Sequence, residues 1–141
     1  MTWADLANQL GISSPATADR VRKLEDAGVI EGYTARLNAA SLGYELTAFV
    51  AVTLDRPHHR APFLDHIAQL TVVQECHHMA GDDDYLLKVR CRHTRDLEHL
   101  LSNVLKEIPG VVKTCTSIVL SSPKETGALP IPNPQDGERG G

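Results

Sequence analysis

The feature that most constrains the fold is an alternation of strand-type and helix-type residue patterns along residues 46–120. Apolar residues recur at every second position in some segments and at helical spacing in others. Strands are predicted over 46–55, 72–80, 85–92 and 111–120; helices are predicted over 62–70 and from Thr94, the expected N-cap, to a stop at Pro109-Gly110. The order βαββαβ is that of a ferredoxin-like fold, a four-stranded antiparallel sheet with two helices on one face.

Such a sheet leaves its second face uncovered. A second copy of the chain covers an apolar face at little cost, so we expect a homodimer. Cysteines at three positions of the predicted strands are expected to be small core residues. They are Cys76, Cys91 and Cys115.

The N-terminal segment has a different pattern, typical of two short helices joined by a turn. Thr2 and Asp5 resemble a capping box, and Gly11 is expected to end the first helix. Ser13 is expected to cap a second helix with Pro15 in its first turn. Ala27-Gly28 is expected to end this helix. Its buried stripe is predicted to consist of Thr17, Val21 and Leu24, which pack against Leu6 and Leu10 of the first helix. Residues 29–37 are predicted to form a strand pair or wing.

This arrangement has the spacing of a helix-turn-helix, whose second helix keeps one face free for the DNA major groove. Arg20 is the candidate for a guanine contact, and Asp19 either accepts from a cytosine or pairs with a neighbouring arginine. Phosphate contacts are expected from Arg22, Lys23 and Arg36. The exposed face also offers Ser14, Pro15 and Ala16. The alternative is an ordinary helical hairpin with a solvated charged face, and the net charge of −4 does not itself indicate nucleic-acid binding.

The 141 residues are enough for one ordinary domain or two small ones, and the bulk properties favour a cytoplasmic protein. An odd number of dispersed cysteines argues against a disulfide framework, and we expect no signal peptide or membrane span. The predicted division is a DNA-binding domain at 1–37, a connector at 38–45, a sensing and oligomerisation domain at 46–129 and a disordered tail at 130–141.

Catalysis and metal binding receive no support from the sequence. Adjacent strand residues point to opposite faces, so His77 and His78 cannot easily share one ion. The spacing offers no Cys-x-x-Cys motif and no nucleophile with a neighbouring base, so we expect no metal, no cofactor and no enzyme activity.

The predicted hairpin turn Gly81-Asp82-Asp83-Asp84 is a candidate binding loop. Its carboxylates can bind an ammonium group while N–H groups of the turn hold a carboxylate. The alternative is a solvated turn, because Asp and Gly are favoured in turns in any case.

Taken in order, several stretches resemble the leucine-responsive regulatory protein/AsnC, or feast/famine, family of transcription regulators. The matching residues are Leu6 to Ser13, Arg20 to Ile30, Gly32 to Ala35, Ala48 to Val50, Gly81 to Leu87, Leu105 with Pro109 to Val111, Thr116 to Leu120, and Lys124 to Thr126. The resemblance covers about residues 2–132.

The resemblance implies an α+β protein, with a partial winged helix-turn-helix followed by a ferredoxin-like sensing and oligomerisation domain. It implies binding to double-stranded DNA, dimers that assemble further, often to octamers, and an amino acid or related small-molecule effector between dimers. The effector positions carried over are Gly81, Asp82, Asp83 and Asp84, with Ser117 on the last strand as a further candidate.

Two departures from the family pattern carry consequences. The family usually has a helix before the one that begins near Thr2, so either the chain starts late or DNA binding is compromised. Asp83 stands where an aromatic residue is common, which removes a stacking surface for the ligand. Two alternatives to a DNA-binding regulator therefore stay open: a ligand-sensing oligomeric corepressor that does not bind DNA, and an enzyme on the same scaffold.

Overall fold

The computed structural model describes residues 4, 7, 8, 11 and 13–132. The chain separates into two compact units, Met1–Leu37 and Asn38–Gly141. The predicted capping box at Thr2 and Asp5 and the core positions Leu6 and Leu10 lie outside the described residues. No helix in the described part is long and apolar enough to cross a membrane.

Helix α1, Ser14–Asp26, dominates the N-terminal unit. Its first turn is closed by the predicted cap, because the Ser13 hydroxyl accepts a hydrogen bond from the Ala16 amide at 3.3 Å. Two residues after the helix, Gly28 adopts the left-handed conformation, with φ +76°, and ends its hydrogen-bond pattern. The Gly28 amide donates to the Glu25 carbonyl and the Val29 amide to the Leu24 carbonyl, the pattern of a Schellman motif.

The buried stripe of α1 is only partly as predicted. Thr17 is fully buried, and its hydroxyl donates to the Ser13 carbonyl at 2.9 Å. Val21 is half-buried, but Leu24 is 41% exposed, so the prediction that it is buried was wrong.

The strand pair predicted over 29–37 is not formed. Residues 29 and 30 form a bend, and residues 31–37 have no regular secondary structure. A two-stranded ribbon has little stability of its own, and Val29, Tyr33 and Leu37 are each more than two-thirds exposed, so no core holds it.

The second unit contains a four-stranded antiparallel sheet in the order β2-β3-β1-β4. The strands are β1 Leu46–Leu54, β2 Val73–His78, β3 Tyr85–Cys91 and β4 Val111–Ile118. Helix α2, Arg60–Gln69, follows β1, and α3, Thr94–His99, follows β3 and continues as a π-helical segment, Leu100–Leu105. The prediction of a βαββαβ order with two helices is confirmed.

Alternation along β1 and β3 decides which side chains form the core. Val50, Val52, Leu87 and Val89 have no exposed surface and face the helices, which contribute the fully buried Phe63. Their neighbours on the same strands point to the opposite, open face of the sheet.

Two local predictions in this unit were wrong. The cap of α3 is His93 rather than Thr94, because the His93 ring nitrogen Nδ1 accepts from the Asp96 amide at 3.4 Å. Cys115 is exposed rather than buried, because it lies opposite Ala51 on the open face. Cys91 is buried and Cys76 half-buried.

Candidate DNA-binding and effector sites

Most of the predicted DNA-contacting residues of α1 lie on the side of the helix away from Thr17, whereas Ser14 and Arg20 lie about 60° from it, at the two edges of the set. Pro15, Ala16, Asp19, Arg20, Arg22 and Lys23 are exposed, and Ser14 is half-buried. Arg20 and Arg22 lie about 160° apart around the helix axis. A helix inserted in a groove therefore presents one of them to the base edges and the other to the phosphate backbone.

Asp19 does not pair with a neighbouring arginine. Its carboxylate accepts from Lys23 at 3.1 Å, one helical turn away. The same exposed pair reduces the cationic character of Lys23, whereas Arg20 makes no salt bridge to any residue in the described ranges. Arg22 likewise has no salt bridge among the described residues, and its Nε donates to the Ala18 carbonyl at 3.4 Å. Arg20 and Arg22 are thus the two cations of α1 whose charge no carboxylate in the described ranges compensates.

The segment after α1 is tied back to the helix by a side chain that the sequence analysis did not single out. The Tyr33 hydroxyl donates to Glu25 at 3.0 Å, and this hydrogen bond raises the pKa of Tyr33. Arg36, a predicted phosphate contact, is exposed three residues further along the chain.

In the second unit, the hairpin turn between β2 and β3 is held against the end of β1. The Asp84 carboxylate accepts from the Leu54 amide at 2.7 Å, and the Asp84 amide donates to the Val52 carbonyl at 2.9 Å. The pairing of β1 with β3 ends at Val52 and Tyr85. Asp84 therefore supplies an acceptor for the Leu54 amide just beyond the end of that ladder.

Asp83 also has a partner within the chain. Its carboxylate accepts from the Thr53 hydroxyl at 2.9 Å, and both Asp83 and Asp84 are half-buried. Asp82 is exposed, and no hydrogen bond or salt bridge engages it within the described part of the chain. Of the three carboxylates expected to bind an effector, two fix the shape of the turn and one is available.

A cavity of about 230 Å³ lies beside this turn. Gly81, Asp82 and Asp83 line it together with apolar side chains of the sheet, which include Ala51 and Leu86. Asp84 does not line the cavity. An ammonium group bound by Asp82 would therefore sit next to an apolar surface that suits an amino-acid side chain.

Ser117 is not brought to this cavity. It lies opposite Phe49 on β1, whereas the turn contacts Thr53, four residues along the same strand. Four residues of strand span about 13 Å. Within one chain the structure therefore separates Ser117 from the loop.

The open face of the sheet carries a charged cluster that the sequence analysis missed. Glu125, beyond the last strand, accepts from Lys88 at 3.0 Å and Arg90 at 3.4 Å, and Lys88 also lies 3.4 Å from Glu75. The hydrogen bond from Lys88 lowers the pKa of Glu125, and that from His77 lowers the pKa of Glu75. The alternation of Lys88 and Arg90 with apolar residues along β3 predicts that both cations share one face of the sheet. The sequence does not predict that Glu125 pairs with them, because that contact depends on where the chain runs after β4.

Within the described ranges, no group of three His, Cys, Asp or Glu side chains is arranged to hold a metal ion. His77 and His78 lie on opposite faces of the sheet, opposite Leu86 and Tyr85 respectively, and His78 stacks on Tyr85.

Comparison with known proteins assigns both units. The family model described as the Lrp/AsnC ligand binding domain matches residues 47–129, and the one described as winged helix-turn-helix DNA-binding matches residues 1–31. The leucine-responsive regulatory protein of Escherichia coli K12 is 39% identical over 129 residues, 90% of this chain and 79% of that protein.

Solved structures agree. A transcriptional regulator of Neisseria meningitidis in complex with L-methionine has a TM-score of 0.89 at 28% identity, covering 92% of this chain and 85% of that one. The feast or famine regulatory protein of M. tuberculosis, also complexed with L-methionine, has a TM-score of 0.76 at 36% identity, covering 91% and 86%. The chain belongs to the Lrp/AsnC family, a family of DNA-binding transcription regulators rather than of enzymes.

Proposed function

We propose that this chain is a cytoplasmic regulator that binds double-stranded DNA through α1 and responds to an amino acid bound at the hairpin turn Gly81-Asp82-Asp83-Asp84. The observation that carries the DNA-binding part is the exposed face of α1, on which Arg20 has no salt-bridge partner among the described residues. A guanidinium in this state is ready for a bidentate contact to guanine.

DNA binding is tested by fluorescence anisotropy with the DNA upstream of the chain's own gene at two salt concentrations. Arg20→Ala is expected to weaken specific binding by about tenfold or more, because it removes a base contact. Arg22→Ala is expected to weaken binding to all sequences and to lower the salt slope by about one. The matched control is Arg95→Ala, an exposed helical arginine of the second unit.

Two results would contradict this part of the proposal. One is binding that does not fall with salt, and the other is an Arg20→Ala chain that binds like Arg95→Ala. If the chain shows no DNA binding but is still stabilised by amino acids, the corepressor alternative is supported instead.

The effector part rests on the geometry of the turn. Asp83 and Asp84 hold the turn rigidly on Thr53 and Leu54, and Asp82 extends beside the 230 Å³ cavity. The two relatives crystallised with L-methionine lend support to an amino acid as the ligand class. We assign the ammonium contact to Asp82 and a positioning role to Asp83 and Asp84.

A thermal-shift titration with the common L-amino acids separates these roles. Asp82→Ala is expected to leave the unliganded melting temperature unchanged and to abolish the ligand-induced rise. Asp84→Ala is expected to lower the unliganded melting temperature, since the amide of the buried Leu54 loses its acceptor at a cost of about 1–3 kcal/mol. A ligand-induced rise that survives Asp82→Ala in full would show that the ammonium contact lies elsewhere.

Assembly is proposed to use the open face of the sheet. This face combines apolar surface at Phe49, 36% exposed, and Cys115 with charges already paired through Glu125. Ser117 lies on the same face, so a role for it in effector binding requires that the ligand contact a second copy. Phe49→Lys is expected to shift the chain to monomers in sedimentation velocity, and unchanged higher oligomers would exclude this face as the dimer interface.

A further inference from the structure

The cavity beside the hairpin turn is lined by acidic side chains and, within the described chain, by no cationic one. Asp82 and Asp83 are the charged residues among those that border its 230 Å³. The remaining side chains of the lining are apolar, apart from that of Tyr85. A ligand that carries as many negative as positive charges therefore finds two counter-charges for its cation and none for its anion on these side chains.

The cations nearest in strand register do not change this balance. Lys113 lies opposite Thr53, whose hydroxyl donates to Asp83, but it does not line the cavity and forms no salt bridge with a residue in the described ranges. His77 lies opposite Leu86, and its Nε2 is 3.0 Å from the Glu75 carboxylate. The negative charge at the turn is thus left for a ligand to compensate.

Asp83 keeps free acceptor capacity although it already has a partner. A carboxylate offers about four lone-pair sites on its two oxygens. The Oδ1 atom of Asp83 accepts from Thr53 at 2.9 Å, and no described residue donates to its Oδ2 atom. Asp82 is exposed and has no partner among the described residues. The two carboxylates can therefore accept from two separate cationic groups.

A metal ion is a poorer occupant of this space than an organic cation. The third carboxylate of the turn, Asp84, accepts from the Leu54 amide and does not line the cavity. Among the described side chains, no three His, Cys, Asp or Glu residues converge to hold an ion. Two carboxylates next to an apolar surface suit ammonium groups joined by a hydrocarbon chain.

The apolar part of the lining supplies such a surface. Ala51 and Leu86 of the sheet and Met79 after β2 border the cavity. The side chain of lysine packs its methylene stem along apolar surface while its ammonium group stays at a polar rim. The backbone amides of residues 80–83 donate to no other residue of the described part, so they are free to hold a ligand carboxylate.

We propose that the effector of this site is an L-α-amino acid with a cationic side chain, of the size of lysine. Asp82 binds the α-ammonium group, Asp83 binds the side-chain cation, and the methylene stem lies on Met79 and Leu86. Such a ligand brings a net positive charge to the turn, whereas an apolar amino acid brings none. The inference rests on the effector site proposed above and adds its ligand class.

Isothermal titration calorimetry of the full chain compares three matched probes. L-Norleucine is lysine without the side-chain ammonium group, and cadaverine is lysine without the carboxylate. L-Lysine is expected to bind about tenfold more tightly than L-norleucine, the usual effect of one charge-assisted hydrogen bond. Cadaverine is expected to bind more weakly than lysine. L-Methionine, which two relatives hold in their crystal structures, is expected to bind like norleucine.

Three variants assign the contacts. Asp83→Asn keeps an acceptor for the Thr53 hydroxyl and removes the charge, so lysine affinity is expected to fall about tenfold while norleucine affinity and the unliganded melting temperature stay unchanged. Asp82→Ala is expected to abolish binding of both amino acids, because both carry the α-ammonium group. The matched control is Asp65→Asn, an exposed carboxylate of α2 outside the cavity lining, which is expected to bind like the parent chain.

The outcomes separate this inference from the effector site on which it rests. If norleucine binds as tightly as lysine and Asp82→Ala abolishes both, the ligand class is wrong and the site stands. An Asp83→Asn chain that keeps the full preference for lysine would overturn the contact assigned to Asp83. Cadaverine that binds as tightly as lysine would replace the amino acid by a diamine. If lysine, norleucine and methionine all fail to bind, the inference and the effector site fail together.

Discussion

The two units differ in how well each encloses its own core. The second unit buries Val50, Phe63, Leu87 and Leu105 completely between its sheet and its helices. In the described part of the first unit only Ala7 and Thr17 are buried, and apolar side chains such as Leu24 and Val29 are exposed.

Stability and DNA recognition therefore reside in different units of the chain. The second unit can hold a rigid turn and a preformed cavity, because its strands and helices fix each other. The first unit presents a capped helix whose exposed face is available for DNA but whose apolar side is incompletely covered. We therefore expect amide hydrogen exchange to be slow in β1 and β3 and much faster in α1.

The largest effect is expected from a core truncation in each unit. Phe63→Ala in the second unit should lower the free energy of unfolding by about 3–5 kcal/mol, since it opens a cavity in a closed core. Leu24→Ala in the first should cost about 1 kcal/mol, because the side chain is 41% exposed. Urea unfolding with hydrogen exchange resolved by peptide measures both, and equal losses would remove the distinction between the units.

A pair of glycines gives an intermediate effect. Both Gly110 and Gly28 have positive φ, but a Cβ on Gly110 would lie 2.5 Å from His59, whereas one on Gly28 meets nothing within 4 Å. Gly110→Ala is expected to cost about 3 kcal/mol and Gly28→Ala about 1 kcal/mol, the second from backbone strain alone. His59→Gly removes the Cβ that an alanine would keep, so Gly110→Ala should cost less in the His59→Gly background than in the parent chain, and an equal cost would show that the clash is not the cause.

The smallest effect concerns pH. The hydrogen bond with His59 lowers the pKa of Asp55, so this carboxyl stabilises the fold above its unfolded pKa, near 4, and loses that contribution as the pH falls through the folded value. Asp55→Asn should lower the melting temperature by about 1–3 °C at pH 7, and by less as the pH falls below 4. Asp19→Asn removes the exposed ion pair with Lys23 and should change the melting temperature little at either pH. Equal changes in melting temperature for Asp55→Asn and Asp19→Asn would contradict the expected difference between the two units.

Much of the fold could be predicted because it depends on local pattern. The alternation in β1 and β3 and the apolar spacing in α2 and α3 give the βαββαβ order, and Ser13 and Gly28 set the ends of α1. The strand pair after α1 was wrong, because whether extended residues pair depends on what covers them rather than on their own pattern.

The candidate sites could be predicted less completely. The sequence placed three carboxylates in one turn but could not assign them different roles. That assignment depends on Thr53 and Leu54, about thirty residues earlier in the chain, which engage Asp83 and Asp84 and leave Asp82 exposed. The pairing of Lys88 and Arg90 with Glu125 is equally remote in sequence.

The order of strands and helices follows from the periodicity of apolar side chains along the chain. The two ends of α1 and the position of the acidic turn follow from the backbone preferences of Ser, Asp and Gly. Tertiary packing, by contrast, leaves Leu24 exposed, places Ser117 opposite Phe49 rather than at the turn, and engages Asp83 and Asp84 with Thr53 and Leu54. The physical reason is that burial and side-chain partnership depend on which elements pack together, and packing joins residues that no local pattern connects.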